Sequence, residues 1–398
     1  MGSGGREHAL AWKLSRAGSL DELHAAPGNP GIAALGQCHP VRADDSEGLL
    51  ALAGALEADL VVVGPEAPLV AGVADDLRHL GVAVFGPGAA AARIEGSKSF
   101  AKDVMRAADV PTAEALAVAR TPCVIKADGL AAGKGVFVCR TQQELDEALR
   151  AAAVFGEALV IEELLDGEEV SLFALCDGAR AVPLPPVQDF KRIGDGDEGP
   201  NTGGMGSYSP VAGLDAGEAE ELVERIHQPV LDELAARGAP FVGVLFAGVM
   251  LTEDGPRVLE FNCRFGDPET QSLLPRLDGD VLELLLAAAR GDLSSVSVDV
   301  DDRAAVTVVI AAGDYPAGTD IGTPIGGIDA AEATGALVFH AGTARSGDRI
   351  LTNGGRILNV TGLGPNVAAA RDRAYEACEL ITFPDMRYRR DIAAVAHV

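Results

Sequence analysis

The sequence is short of aromatics, of lysine and of any cysteine pairing pattern. Aromatic residues make up 4% of its 398 residues, with one tryptophan. Its cores must therefore come mainly from Ala, Val and Leu, which a hydrophobic fraction of 48% amply supplies. Cys38, Cys123, Cys139, Cys176, Cys263 and Cys378 are scattered, with no C-x-x-C pair. Several stand inside apolar runs, the habit of buried free thiols in a reducing cytoplasm. No apolar run reaches the ~18 residues of a membrane span. The N-terminus lacks the charged-then-apolar layout of a secretory leader. A cytoplasmic location without a membrane partner is expected. A formal charge of −27 argues against non-specific binding to nucleic acid or anionic lipid.

An anionic substrate then depends on local cations, and these are unevenly chosen. Only six of the 32 basic residues are lysine: Lys13, Lys98, Lys102, Lys126, Lys134 and Lys191. Five lie between residues 98 and 191, beside glycine-rich or turn-rich stretches. Where surface cations default to arginine, a lysine marks a place for a compact point charge; chance and codon bias explain the pattern equally well. The length suits two or three domains.

The densest chemistry lies at Val258 to Gln271, VLEFNCRFGDPETQ. Strand alternation puts Leu259, Phe261 and Cys263 on one face, and Glu260, Asn262 and Arg264 on the other. A carboxylate beside an amide oxygen suits a hard cation such as Mg²⁺ that keeps places for phosphates. Alone, the same pattern is an edge strand with a solvated face. Phe265 to Gln271 is too polar and too rich in Gly and Pro to continue the strand, and reads as a functional loop.

Ahead of this stretch, apolar runs alternate with helical patterns. Helices are expected near 46–57 and 70–80, with strands at 60–63 and 82–85, the sign of a parallel α/β sheet. Ligands gather at the carboxyl ends of such strands, where Glu66 and Gly86 to Gly88 lie. Glu66 can bind a hydroxyl or simply turn the chain. Gly2 to Gly5 feed a helix through Leu14, and a glycine turn at a helix N-terminus can bind phosphate. The dinucleotide fingerprint fails there, because Glu7 holds its third glycine position. A strand should precede that turn and is missing, so either the start lies further upstream or the sheet lacks a strand.

A new unit opens at Ile94. Gly96-Ser97-Lys98 starts a helix, and 122–126 forms a strand ending in Lys126. Ala127 to Val136 is a glycine loop with a lysine at each end, Lys126 and Lys134, apt to cover a triphosphate. Gly135 after Lys134 rules out a Walker A loop. Glu162 and Glu163 close the next strand and can serve adenine or merely turn the chain. The irregular segment from Gly194 to Pro210 is read as a binding loop. Helix 215–237 and a hairpin (241–251 and 258–264) follow. Beyond 299 a separate α+β domain is expected, with strands near 304–311, 336–340 and 356–360 and a helix at 366–380. His340 at a strand end is read as structural.

Two lysines, a glycine flap and a Glu-x-Asn strand describe an ATP·Mg²⁺ site. With the α/β front and the small tail, the chain resembles the ATP-grasp superfamily of carboxylate–amine ligases. Within it, the chain is similar to the glycinamide ribonucleotide synthetase family. The shared motifs are GGREHALAWKL at 4–14, APGN at 26–29, GPEAPLV at 64–70, EGSK at 95–98, VIKADGLAAGKGV at 124–136, GPNTGGMG at 199–206, EFNCRFGDPETQ at 260–271 and TNGGR at 352–356.

The resemblance implies an ATP-grasp fold at 94–298, with a mobile flap at about 112–178. A Rossmann-like parallel-sheet domain at 1–93 would precede it, and a small α+β domain at 299–398 would follow. It implies a monomeric enzyme that joins glycine to 5-phosphoribosylamine using ATP and Mg²⁺ or Mn²⁺, through an acyl phosphate. Carried over by position, Lys98, Lys126, Gly129, Gly133, Lys134, Gly135, Glu162, Glu163 and Glu169 serve the nucleotide, and Glu260 and Asn262 the metal. Arg264 and Asp267 are catalytic. Gly4, Gly5, Arg6, Glu7, Glu66, Asp189, Asn201, Thr202, Gly203, Gly204 and Met205 serve the substrates. The alternative is another ATP-grasp carboxylate–amine ligase; a dinucleotide oxidoreductase leaves Glu260 and Asn262 unexplained. The chain departs from the family in its short 111–126 stretch, which suggests a missing helix, and in Phe190, where the family has histidine.

Overall fold

A computed structural model describes residues 1–131, 135–156 and 158–394. Gly133 and Lys134, both expected in the flap, lie outside the described residues.

The front of the chain is parallel, as its alternating pattern requires. His24–Ala25 pairs with Gln37–Cys38, and Leu60–Val62 with Ala83–Phe85, both in parallel. Met1 and Gly2 occupy the position expected of a first strand. The Met1 amine donates to Val62 O at 2.7 Å, and Gly64 N–H donates to Met1 O at 3.1 Å. On the other side, Gly2 N–H donates to Ala26 O at 2.8 Å and Gly28 N–H to Gly2 O at 3.1 Å. The turn then enters the helix Gly5–Leu14 directly. The single helix expected near 70–80 is two, Glu66–Ala71 and Val73–His79. Gly72 between them takes the left-handed conformation (φ +96°), which ends one helix and begins the next.

The centre is an eight-stranded sheet in the order Gly255–Asn262, Val242–Thr252, Glu168–Asp177, Ala181–Asp189, Gly206–Ser209, Ala304–Ala311, Arg356–Gly364, Leu337–His340. Every neighbouring pair is antiparallel. The strands beyond residue 299 thus extend the same sheet. Gly206–Ser209 is the splice, paired to Asp189 on one side and to Thr307 on the other. Ala304–Ala311 is buried along its whole length, as a continuous apolar run demands. Ala181–Asp189 carries Pro183, Pro185 and Pro186, which argue against a central strand. Pro185 and Pro186 fall where the register with Glu168–Asp177 shifts between Ser171 and Phe173, while Pro183 stays in register opposite Ala174.

Helix Ala216–Ala236 covers the sheet with Leu222, Val223, Ile226, Val230, Leu231 and Leu234, spaced for one helical face. A three-stranded sheet of Val136–Cys139, Cys123–Ala127 and Leu159–Glu163 faces the strand Gly255–Asn262, to which Lys126 reaches. Helix Gln142–Ala152 backs it through Leu145, Ala148 and Ala152. Residues 111–122 contain no helix, matching the short linker. Phe265 to Gln271 is not loop throughout: after Pro268 at the cap, Glu269–Leu273 is a short buried helix.

Candidate active site

The strand Gly255–Asn262 brings its polar face to a cavity of about 780 Å³ between the large and small sheets. The alternation is interrupted at Leu259. A bulge opposite Gly248 and Val249 inserts Leu259, so Leu259 joins Glu260 and Asn262 in the wall. Its carbonyl accepts from Lys126 Nζ at 2.8 Å. Phe261, though almost fully buried, also borders the cavity and meets the His227 ring edge-on; Cys263 remains buried behind.

Lys98, Lys126, Gly129, Gly135, Glu162, Glu163, Glu169, Asp189, Asn201, Thr202, Gly203, Glu260, Asn262, Arg264 and Asp267 share this cavity with Arg6 and Glu66. Lys98 begins the helix Lys98–Ala107, capped by Ser97, and its Nζ donates to Gly129 O at 3.0 Å. Burial pulls the Lys98 ammonium below its usual range, against the opposing pull of Glu260. Burial also works against the Glu260 carboxylate, but the ammoniums of Lys191, Lys126 and Lys98 outweigh it and hold the group ionised. That is the state a metal ligand needs. Asp189 is pushed well up by burial. Lys191 stays charged despite burial because Asp189, Glu169 and Glu260 surround it, and it pairs directly with Glu169.

Arg264 is buried between two carboxylates, Glu66 at 3.1 Å and Glu95 at 3.0 Å. The two respond in opposite directions. Burial drives the Glu95 carboxyl up. In Glu66 the charges of Arg264 and Arg6 overcome burial and hold it down. The difference follows from exposure, with 25% of the Glu66 side chain open against 9% of Glu95. Glu95 also accepts from Cys263 N–H at 2.8 Å, which ties the arginine's strand to the end of the helix Ala89–Gly96.

The glycine turn is shaped by packing. Glu7 folds back to accept from Gly4 N–H at 2.6 Å and from Arg6 Nε at 2.7 Å. A Cβ on Gly5 would lie 2.2 Å from Asn359 Nδ2 and 2.7 Å from Gln271 Nε2. Arg6 donates to Phe265 O at 3.1 Å, holding the turn to the loop after the strand. Gly204 and Met205 do not reach the cavity. Gly204 (φ +106°) packs on Pro268, and Met205 is buried with Ile193, Ala311 and Tyr315.

A second cavity of about 590 Å³ adjoins the first, lined by Ser3, Gly4, Asn29, Tyr315, Thr343 and Asn353 among others. Asp267 and Arg356 stand in the walls of both. Their side chains approach to 3.4 Å, and Arg356 also donates to Asp267 O at 2.6 Å and to Gly203 O. Burial opposes the Asp267 charge, but Arg356 and Arg6 prevail and keep its carboxyl low.

Sequence reasoning did not single out Glu95, Lys102, Asp128, Lys191, Glu269 or Arg356 as site residues, and all but Asp128 line the larger cavity. Asp128 anchors the Lys98 turn, accepting from Lys98 N–H at 2.6 Å and from Ser99 Oγ at 2.6 Å. Lysine scarcity had already marked Lys102 and Lys191. Glu95 and Arg356 sit inside the EGSK and TNGGR motifs.

Comparison with known proteins agrees with this layout. Family descriptions match as "Phosphoribosylglycinamide synthetase, N domain" over residues 1–95, its ATP-grasp (A) domain over 96–270 and its C domain over 305–395. A Streptomyces coelicolor protein named phosphoribosylamine–glycine ligase is 52% identical, covering 100% of this chain and 98% of its own. One of the same name from Mesorhizobium japonicum is 49% identical over 98% and 96%. The crystal structure of phosphoribosylamine–glycine ligase from Thermotoga maritima superposes with a TM-score of 0.83 at 34% identity, covering 98% of each chain. The biotin carboxylase domain of Hydrogenobacter thermophilus 2-oxoglutarate carboxylase shares the fold, with a TM-score of 0.69 at 18% identity over 97% of this chain and 90% of its own. With family descriptions matching its front, central and tail parts and a relative 52% identical along its full length, the chain belongs to the phosphoribosylglycinamide synthetase family.

Proposed function

We propose that the protein is an ATP-dependent ligase that joins glycine to 5-phosphoribosylamine, giving glycinamide ribonucleotide, ADP and phosphate in purine synthesis. One observation carries the reading: Asp267 and Arg356 belong to the walls of both cavities. The two cavities meet at this pair, so a phosphoribosyl group seated across them presents its amine to a carboxylate activated in the larger one. The names of the full-length relatives support the same substrates.

A carboxylate is a poor electrophile. One glycine oxygen bonds to the γ-phosphorus of ATP as the bond to the ADP oxygen breaks, giving glycyl phosphate. The amine nitrogen then attacks the carbonyl carbon, phosphate leaves with the C–O bond, and the nitrogen loses a proton. Positioning and charge neutralisation supply most of the catalysis. Lys98 and Lys126 hold nucleotide phosphates, with Gly129 and Gly135 in the same wall. Glu163 and Glu169 flank the adenosine. Arg264 steadies the acyl phosphate, and Asp267 orients Arg356 at the junction. Gly4, Gly5, Arg6, Glu7 and Glu66 receive the phosphoribosyl group, and Asp189 with Asn201, Thr202 and Gly203 lies by the amine. Gly204 and Met205 support that loop from behind.

Glu260 and Asn262 suit Mg²⁺ or Mn²⁺: two oxygen donors on one strand face, with the carboxylate held ionised. Among the described residues no cluster of three or more His, Cys, Asp or Glu forms a metal cage. Phosphates and water then complete the coordination. Bound there, the ion neutralises phosphate charge. We further divide the chain at 1–93, 94–298 (flap about 112–178) and 299–398, and expect a cytoplasmic monomer.

The test is phosphate release from MgATP with glycine and phosphoribosylamine, each omitted in turn. Release that needs all three supports the reading. Turnover without glycine, or none with the full set, overturns it. Turnover with a different acid or amine instead favours another ATP-grasp ligase.

A further inference from the structure

In the wall of the nucleotide cavity three charges meet. Glu162, which the resemblance assigns to the adenosine, has a side chain only 2% exposed, and both its oxygens are taken. Oε1 accepts from Lys102 at 2.6 Å and Oε2 from Lys126 at 2.7 Å. Lys102 also donates to Thr112 Oγ1 at 2.8 Å and to Ala113 O at 2.6 Å. An ammonium has three donors, so those of Lys102 are all committed inside the protein. Lys126 commits two, to Glu162 and to Leu259 O, and keeps one for the cavity it lines.

The charges follow the same division. Lys126 and Glu162 alone form a neutral pair, which attracts an anion weakly. A second ammonium on the same carboxylate leaves the group with one net positive charge in a poorly screened place. The group also joins three elements. Lys102 comes from the helix Lys98–Ala107, Glu162 and Lys126 from the small sheet, and Leu259 from the strand bearing Glu260. Thr112, which Lys102 grips, donates to Val258 O at 2.7 Å on that strand.

We propose that Lys102 is a positioning residue of the nucleotide site: by neutralising Glu162 it leaves Lys126 with an uncompensated, fixed ammonium for a nucleotide phosphate. Glu162 is then an aiming device for Lys126 rather than a contact to the sugar. This rests on reading the cavity as an ATP site.

The experiment titrates the full-length protein with the β,γ-imido analogue of ATP in Mg²⁺, by calorimetry. Lys102→Met is expected to weaken binding by roughly tenfold to a hundredfold, the weight of a hydrogen bond to a charged group. The double variant Lys102→Met with Glu162→Gln removes both buried charges, frees Lys126 again, and is expected to recover binding to within about threefold of wild type. KM for ATP should follow binding, while KM for glycine stays unchanged. A packing role alone predicts a double variant no better than the single one. That result, or unaltered binding by Lys102→Met, overturns the proposal. Should Lys102→Met not fold, Lys102→Gln, which keeps a donor for Ala113 O, replaces it in both arms with the same expectations. A wild-type protein that fails to bind the analogue refutes the ATP reading itself.

Discussion

Replacing Arg264 by methionine keeps the length of the side chain and removes the guanidinium held between Glu66 and Glu95. Breaking a buried ion pair from one side costs about 3–5 kcal/mol. The full figure does not apply here. Glu66 has a quarter of its side chain in solvent, and the Glu95 carboxyl is already driven up by burial. Without its cation Glu95 takes a proton, at a cost of about 1.4 kcal/mol for each pH unit above its ordinary pKa, a cost that stops growing once the pH passes the new pKa. A loss of roughly 2–3 kcal/mol near neutral pH follows. The sign is fixed by linkage. In the variant the folded carboxyl has a higher pKa than the unfolded one, so the folded state holds a proton that unfolding releases. The deficit therefore grows as pH rises above the unfolded carboxylate range and fades below about pH 4.5. Activity should fall by about 10²–10³ in kcat, the usual effect of removing a preorganised charge from a transition state. Phosphate release measures the second effect, and thermal melting at about pH 5 and pH 8 the first. A kcat within about threefold of wild type, or a melting deficit equal at both pH values, would refute this reasoning.

Glu260→Gln should leave the fold intact and raise the Mg²⁺ needed for half-maximal turnover by at least about tenfold; an unchanged requirement moves the metal elsewhere. Gly5→Ala drives a methyl into Asn359 and Gln271 and should cost about 1–3 kcal/mol, read as a lower melting temperature. An unaffected melt would mean the turn is bare for its ligand rather than for packing. His8 accepts from His340 N–H at 2.8 Å, and burial, reinforced by His340, lowers its pKa to about 3. The unfolded chain binds that proton near its ordinary 6.5, so stability is lost as pH falls from there toward 3. His8→Gln should flatten melting temperature against pH across that window, and an unchanged slope would assign the acid sensitivity to other groups.

The sequence by itself determined the parts whose cause is local. Alternation over Val258 to Arg264 placed Glu260, Asn262 and Arg264 on one face, and periodicity located the long helices to within a residue or two. Glycine and proline spacing marked the segment at 194–210 as turn-rich, but Glu198–Asn201 and Gly206–Ser209 within it are short strands. Its errors arose where a neighbour overrides the local rule. Leu259 joins the cavity wall because a bulge falls there, and Pro185 and Pro186 fit a central strand because its register shifts at them. The tail's strands extend the main sheet because Gly206–Ser209 supplies an edge to Ala304–Ala311. Only the tertiary structure decided which charges meet. Lys102 with Glu162, Arg264 with Glu95, and Arg356 with Asp267 are 60, 169 and 89 positions apart. Pairing across such distances is set by folded geometry, and no spacing in the chain encodes it.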